Sequence, residues 1–121
     1  MKSSNKITRR DLLILAGAVT LSAVIYLLAS KFTYAIGFPL DDSWIHQTYA
    51  RNLALRAEWA FRPGLPSAGS TSPLWSALLA TGFILRLSPY LWTYLLGALA
   101  LFGLAALCEW AARQIIRVRF I

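Results

Sequence analysis

The sequence predicts an all-α integral membrane protein with about three transmembrane helices and an outer loop that contains an interfacial amphipathic helix. Three observations predict this class. Of 121 residues, 58% are hydrophobic and only 14% charged, a balance too apolar for an ordinary soluble domain of this size. The uncharged run Leu12 to Ser30, LLILAGAVTLSAVIYLLAS, rises roughly 28 Å as a helix, close to the thickness of a hydrocarbon core. Two further apolar blocks follow Pro73.

Residues 1–11 form a basic tail with Lys2, Lys6, Arg9 and Arg10. The positive-inside tendency makes this tail cytoplasmic, in the cell (inner) membrane. Residues 12–30 are then transmembrane helix 1. A secretory signal also has a basic front and an apolar middle, but its apolar region is usually roughly 7–15 residues long and ends at a small-residue cleavage site before a polar mature start. Here Ala29-Ser30-Lys31 leads into Phe32, Tyr34 and Ile36, so the run reads as an uncleaved helix.

Residues 31–72 form a loop on the outer face. Within it a helix is expected over about 42–59, with Asp41 or Asp42 as its cap and favourably placed at its positive end. Ile45, Tyr49, Leu53 and Ala57 recur every four residues, while His46, Gln47, Arg51 and Glu58 scatter over the other side. This is the pattern of a helix lying in the interface, and Trp44, Tyr49, Trp59 and Phe61 suit headgroup depth. The segment Phe61 to Pro73, rich in Pro, Gly and Ser, reads as a turn region.

Ser72 is the expected N-cap of a second membrane helix, 73–87, with Pro73 where proline costs least. It rises roughly 22 Å, so it spans only with help from Ser70 to Ser72 or a snorkelling Arg86; a half-buried or tilted helix is the alternative. Ser88-Pro89 breaks the chain, and residues 90–112 make the third helix, uncharged from Tyr90 to Cys108. A basic tail, 113–121, carries Arg113, Arg117 and Arg119. Three crossings would put those arginines outside, against the same charge rule. A re-entrant second block, an interfacial C-terminal stretch or a chain once longer would each remove the conflict.

The net charge of +7 does not indicate nucleic acid, because the bases sit at membrane edges and not on one soluble face. Lone Cys108 excludes an internal disulfide. No cofactor signature is present, and His46 with Asp42 four residues earlier offers too few ligands for a metal, so a solvated or capping role is expected for it. Arg51, Arg56 and Arg62 suit phosphate or lipid headgroups. Gly97, Ala98, Ala100, Gly103, Ala105 and Ala106 permit close helix packing.

The string DDSWIHQTYARNLA, followed by W-x-F-x-PG and then GSTSPLW, resembles the first outer loop of GT-C superfamily glycosyltransferases that use lipid-linked sugars, especially the arabinofuranosyl- and mannosyltransferase-like branch. The resemblance covers about residues 10 to 108. It implies a polyprenyl-phosphate sugar as donor, transfer on the outer face, and an acidic residue of the opening pair, Asp41 or Asp42, as general base. Asp42 is slightly favoured. Helix capping accounts for the pair equally well. Members of the superfamily have many more membrane helices, so this chain is expected to be too short to catalyse alone. The leading expectation is a small non-catalytic subunit, packed against other integral membrane subunits of a larger complex and resembling the front segment of such an enzyme. The alternative is part of an active glycosyltransferase completed by missing or separate helices. A lipid- or pigment-binding accessory subunit has no positive motif.

Overall fold

A computed structural model describes residues 7–33, 35–38 and 40–119, with side chains through Ile115. Lys2, Lys6, Tyr34, and the side chains of Arg117 and Arg119, all used in the sequence reading, lie outside the described residues. The order of elements is α1 (Arg9–Thr33), α2 (Asp41–Arg56), β1 (Ala60–Arg62), β2 (Leu65–Pro66), α3 (Pro73–Ile84) and α4 (Pro89–Arg119). These group into two units, one made of α1 through Ala35 with the chain from Leu96 onward, the other of Ile36–Leu95.

In the first unit, α1 starts at a reciprocal cap. The Asp11 carboxylate accepts from the Thr8 backbone N–H and hydroxyl, each at 2.8 Å, and the Asp11 N–H donates back to the Thr8 hydroxyl at 3.3 Å. This satisfies amide groups that have no partner within the helix. Along the apolar run the Ser22 hydroxyl donates to the Ala18 carbonyl and Thr33 to Ala29, so these polar side chains need no outside partner. Arg113 of α4 reaches Asp11 at 2.8 Å and Glu109 at 2.7 Å. The start of α1 therefore meets the end of α4. The basic tail expected over 113–121 is helical as far as Arg119.

Helices α1 and α4 are both long and apolar enough to cross a membrane. Leu13, Ile14, Leu21, Ile25 and Leu28 are all exposed. Each would lose roughly 1.5–3 kcal/mol by facing water. Five together match the roughly 5–15 kcal/mol net stability of a domain, a surface consistent with contact with a lipid bilayer.

The second unit departs from the expected layout in four places. Helix α3 is only 12 residues long and rises roughly 18 Å, well short of a hydrocarbon core. It stops at Ile84, before the expected Leu87, because Arg86 turns into the left-handed region at φ 55° and the N–H groups of Leu85, Arg86 and Leu87 close onto Thr81, Phe83 and Gly82. Ser72 is its N-cap and Pro73 its first residue, as the sequence indicates, although no side-chain cap bond forms.

Helix α2 ends at Arg56, not Trp59. Ala57 adopts φ 55° and its N–H, with that of Glu58, returns to the Leu53 and Asn52 carbonyls, a Schellman-like close. Its N-cap is Leu40, with no side-chain cap bond, and Asp41 and Asp42 both occupy the first turn. The chain is also not purely helical. Ala60 pairs with Pro66 and Arg62 with Leu65 in an antiparallel two-stranded hairpin with an irregular register. The hairpin turns at Gly64, which takes φ 77°, favoured by glycine, and whose N–H donates to the Glu58 carboxylate at 2.8 Å.

The face α2 buries takes in the expected apolar stripe and extends past it: Tyr49 is buried, Ile45 and Leu53 are half-buried, Ala57 is exposed, and His46 and Gln47, expected on the polar side, are buried as well. Its buried residues are His46, Gln47, Tyr49, Ala50 and Asn52, set against Ser76, Leu79, Ala80 and Gly82 of α3, while Leu55 is exposed. Small residues on both helices permit close approach, and polar side chains satisfied across the contact take the place of an oily core. Gly82 has a specific reason to lack a side chain. The Trp92 ring lies directly over it and is fixed there by the indole N–H donating to the Leu78 carbonyl at 3.1 Å.

Gly82→Ala should therefore destabilise this unit by about 1–3 kcal/mol through overpacking, outweighing a helix-propensity gain of about 1 kcal/mol. A lower unfolding temperature for the detergent-solubilised variant checks it; an unchanged or raised one would show that the Trp92 ring moves freely.

Candidate functional site

The polar side chains of the Ile36–Leu95 unit fall into three groups. The first centres on His46. Its Nδ1 lies 3.0 Å from Ser76 Oγ and 3.2 Å from Ser70 Oγ, the two hydroxyls are 2.9 Å apart, and Thr71 Oγ1 lies 3.4 Å from Nε2. A histidine bonded to a serine raises the question of nucleophilic chemistry. Ser76 is 0% exposed and Ser70 6%, and no carboxylate orients the ring among the described hydrogen bonds. The cluster is a clamp between α2, the GSTSP loop and α3. His46 is thus neither solvated nor a helix cap, as the sequence reading expected, but an internal partner of the loop.

The second group secures the hairpin. Tyr49, 1% exposed, lies with its hydroxyl 2.6 Å from Ser67 Oγ and accepts from the Gly69 N–H at 2.9 Å. Ser67 Oγ in turn accepts from the Phe61 N–H. The buried Asn52 amide donates to the carbonyls of Ala60 at 2.8 Å and Phe61 at 3.1 Å. The rings of Trp59 and Phe61 stand 5.3 and 6.2 Å from that of Tyr49.

The third group borders a cavity of about 230 Å³ lined by Phe38, Trp44, Gln47, Arg51, Phe83 and Tyr90 among others. Phe38 packs on Tyr90 at 4.9 Å and edge-on to Trp44 at 5.1 Å, while the Tyr94 hydroxyl donates to the Gly37 carbonyl at 2.6 Å. Gln47 Nε2 donates to Thr93 Oγ1 at 2.6 Å. Gln47 Oε1 is buried with no hydrogen-bond partner among the described residues.

The site residues expected from sequence divide against this frame. Asp41 and Asp42 are both exposed, and the only side-chain hydrogen bond described for them is Asp41 Oδ1 accepting the Asp42 N–H at 3.0 Å. At about 100° per residue, Asp41 falls on the same side of α2 as Trp44 and Thr48, whereas Asp42 lies roughly 180° from Arg51. By this geometry Asp41 lies nearer the cavity side of α2 than Asp42, although neither lines the cavity. Arg51 lines the cavity; Arg56 ends α2 and Arg62 lies in β1, both exposed and neither among the lining residues. The three arginines do not form one phosphate site. A Cβ added at Gly97 or Gly103 would meet nothing within 4 Å, so that side of α4 is open. No group of three or more His, Cys, Asp or Glu residues suited to a metal occurs among the described residues.

Sequence reasoning missed Gln47, Asn52, Ser70 and Ser76. A signal existed: His46, Tyr49 and Asn52 recur at helical spacing, and Ser76 sits on the small-residue side of α3.

Tyr49→Phe removes the acceptor for the Gly69 N–H. A hydrogen bond of this kind contributes about 0.5–1.5 kcal/mol, so exchange of the Gly69 amide should accelerate up to roughly tenfold while amides in α1 keep their rates. Unchanged protection at Gly69 in hydrogen-exchange measurements would remove Tyr49 from its role in the clamp.

Comparison of the chain with family models, curated proteins and solved structures finds no match.

Proposed function

We propose that this chain is an integral membrane module resembling the front segment of a GT-C glycosyltransferase, which does not catalyse by itself and works packed against other integral membrane subunits. The observation that carries this reading is the unpartnered apolar surface of α1 and α4, open at Gly97 and Gly103. Close helix approach in a bilayer needs such small residues. The acidic pair supports the non-catalytic part. Asp41 and Asp42 are solvent-exposed, without the surrounding donors and exclusion of water that a glycosyl transfer requires.

The α1 and α4 pair acts as a two-span hairpin in the cell membrane. The Asp11–Arg113 ion pair supports this, since it brings Arg9 and Arg10 to the same end as Arg113. Both basic ends then obey the positive-inside tendency, and the conflict raised by three crossings disappears. The residues between the spans, including α3 and the acidic pair, lie on the outer side. Single cysteines in a Cys108→Ser background test this arrangement. A cysteine at Ser67 should react with an impermeant reagent added from outside, and a reporter fused after Ile121 should be cytoplasmic. Labelling of position 67 from the cytoplasmic side alone, or an external reporter, would refute the hairpin.

A second reading is favoured by Asp41 lying nearer the cavity side of α2, where Arg51 lines the cavity: the chain is part of an active transferase, with polyprenyl-phosphate sugar as donor and its remaining helices supplied separately. The two readings separate by experiment. Under the first, the purified chain is inactive toward a polyprenyl-phosphate sugar, Asp41→Asn with Asp42→Asn leaves assembly with partner subunits intact, and Gly103→Leu weakens that assembly by crowding the open side of α4. Turnover by the isolated chain, abolished by the double substitution, would overturn the first reading and establish the enzyme.

A further inference from the structure

The two helices of the Ile36–Leu95 unit present different chemistry to their surroundings. Helix α3 carries no charged residue from Pro73 to Ile84, and the side it turns away from α2 is apolar. At about 100° per residue, Leu74, Leu78 and Thr81 fall within roughly 60° of one another and opposite Ser76, Leu79 and Ala80, which are buried on the α2 side. Leu74 is 75% exposed, Leu78 40%, and the C-cap Leu85, which continues the stripe, 61%. The polar side chain in the stripe is satisfied within the helix, since the Thr81 hydroxyl donates to the Leu78 carbonyl at 2.7 Å. Helix α2, by contrast, exposes Asp41, Asp42, Arg51 and Arg56 together with Trp44 and Leu55.

The depth of α3 is tied to α4. The chain passes from one to the other through residues 85–88, and Trp92 in the first turn of α4 closes on α3, with its ring over Gly82 and its indole N–H on the Leu78 carbonyl. Helix α3 is thereby held where α4, long and apolar enough to cross a membrane, begins. An indole at the start of a span suits headgroup depth. With 12 residues, α3 rises roughly 18 Å, too little to cross; an apolar side of this length suits a helix lying in the plane of one leaflet.

We infer that α3 lies along the bilayer surface, with its Leu74, Leu78 and Leu85 side in the acyl region of the leaflet that α4 enters, and that α2 rides on its other side, toward water. The occupant of this face is lipid and not a further protein, because α3 is fixed to the entry of a span and its stripe offers leucines and a satisfied threonine, nothing for a specific partner to bond. This interchanges the roles that the sequence assigns, making α3 and not α2 the interfacial helix. The inference rests on the bilayer reading above.

The test uses nitroxide-labelled single cysteines in a Cys108→Ser background, Leu21→Cys in α1, Leu74→Cys and Leu78→Cys in α3, and Arg51→Cys and Arg56→Cys in α2, with the full chain in vesicles of dioleoyl phosphatidylcholine at high lipid excess. Power saturation compares collision with oxygen, which concentrates in lipid, and with a nickel chelate, which stays in water. The oxygen-to-nickel ratio at positions 74 and 78 should shift to the lipid side, as at position 21, and the ratio at 51 and 56 should shift to the aqueous side. Paired positions on α2 and α3 keep the result independent of any one variant that fails to fold. Nickel-dominated collision at 74 and 78 with oxygen-dominated collision at 21 would overturn the placement of α3 and leave the spans standing, whereas nickel-dominated collision at 21 as well would refute the bilayer reading along with it. Oxygen-dominated collision at 51 and 56 would overturn the orientation. Spin–spin broadening at position 78 that is relieved by mixing with unlabelled chain would assign the face to a second copy and overturn the lipid contact.

Discussion

The hydrogen bonds that His46, Tyr49 and Asn52 extend from the buried face of α2 hold the Ile36–Leu95 unit together. His46 ties the GSTSP loop to α3 through Ser70 and Ser76, the Tyr49 hydroxyl bonds to Ser67 and accepts from the Gly69 N–H, and Asn52 donates to the carbonyls of Ala60 and Phe61. A unit this small has little apolar area to bury. Its hairpin has only two paired positions, too few to persist alone, so side chains from the helix fix its backbone. A polar seam of this kind is stable only if each member is satisfied. Among the described residues, the exception is Gln47 Oε1, buried without a partner.

Satisfied polar groups and lipid-facing helices answer the same constraint in different places. In the α1 and α4 pair, the backbone is satisfied by helical geometry, the Ser22 and Thr33 hydroxyls by carbonyls one turn back, and the Asp11 carboxylate by Thr8 and Arg113. The large side chains of the apolar run are exposed around these satisfied groups. In the Ile36–Leu95 unit, by contrast, the chain turns four times within a short length, and every turn frees backbone groups that require partners. The side chains of α2 and the Gly64, Ala57 and Arg86 conformations provide them.

Helix α3 is 12 residues long and packs on α2, so two helices among the described residues, α1 and α4, are long and apolar enough to cross a membrane. The ion pair between Asp11 and Arg113 joins residues near the start of α1 and the end of α4. Arg86, expected to snorkel from a membrane helix, instead terminates α3 in a left-handed conformation.

Composition and hydrophobic run length determined the two long helices, because an uncharged stretch of that length has one low-energy form where water is excluded. The start of α3 at Ser72-Pro73 and the break at Ser88-Pro89 were equally local, since proline restricts its own backbone and that of the residue before it. The polar part of the face α2 buries was not legible in this way. Tyr49 of the apolar stripe is buried, yet His46, Gln47 and Asn52 are buried beside it, because their partners are Ser70, Ser76, Thr93, Ala60 and Phe61 and no local pattern announces them. Where α3 stops, and that Gln47 Oε1 is buried without a partner among the described residues, were decided only by tertiary structure. Each depends on distances between segments far apart in the chain, and hydrogen bonds, unlike hydrophobic burial, are satisfied or left open within a few tenths of an ångström.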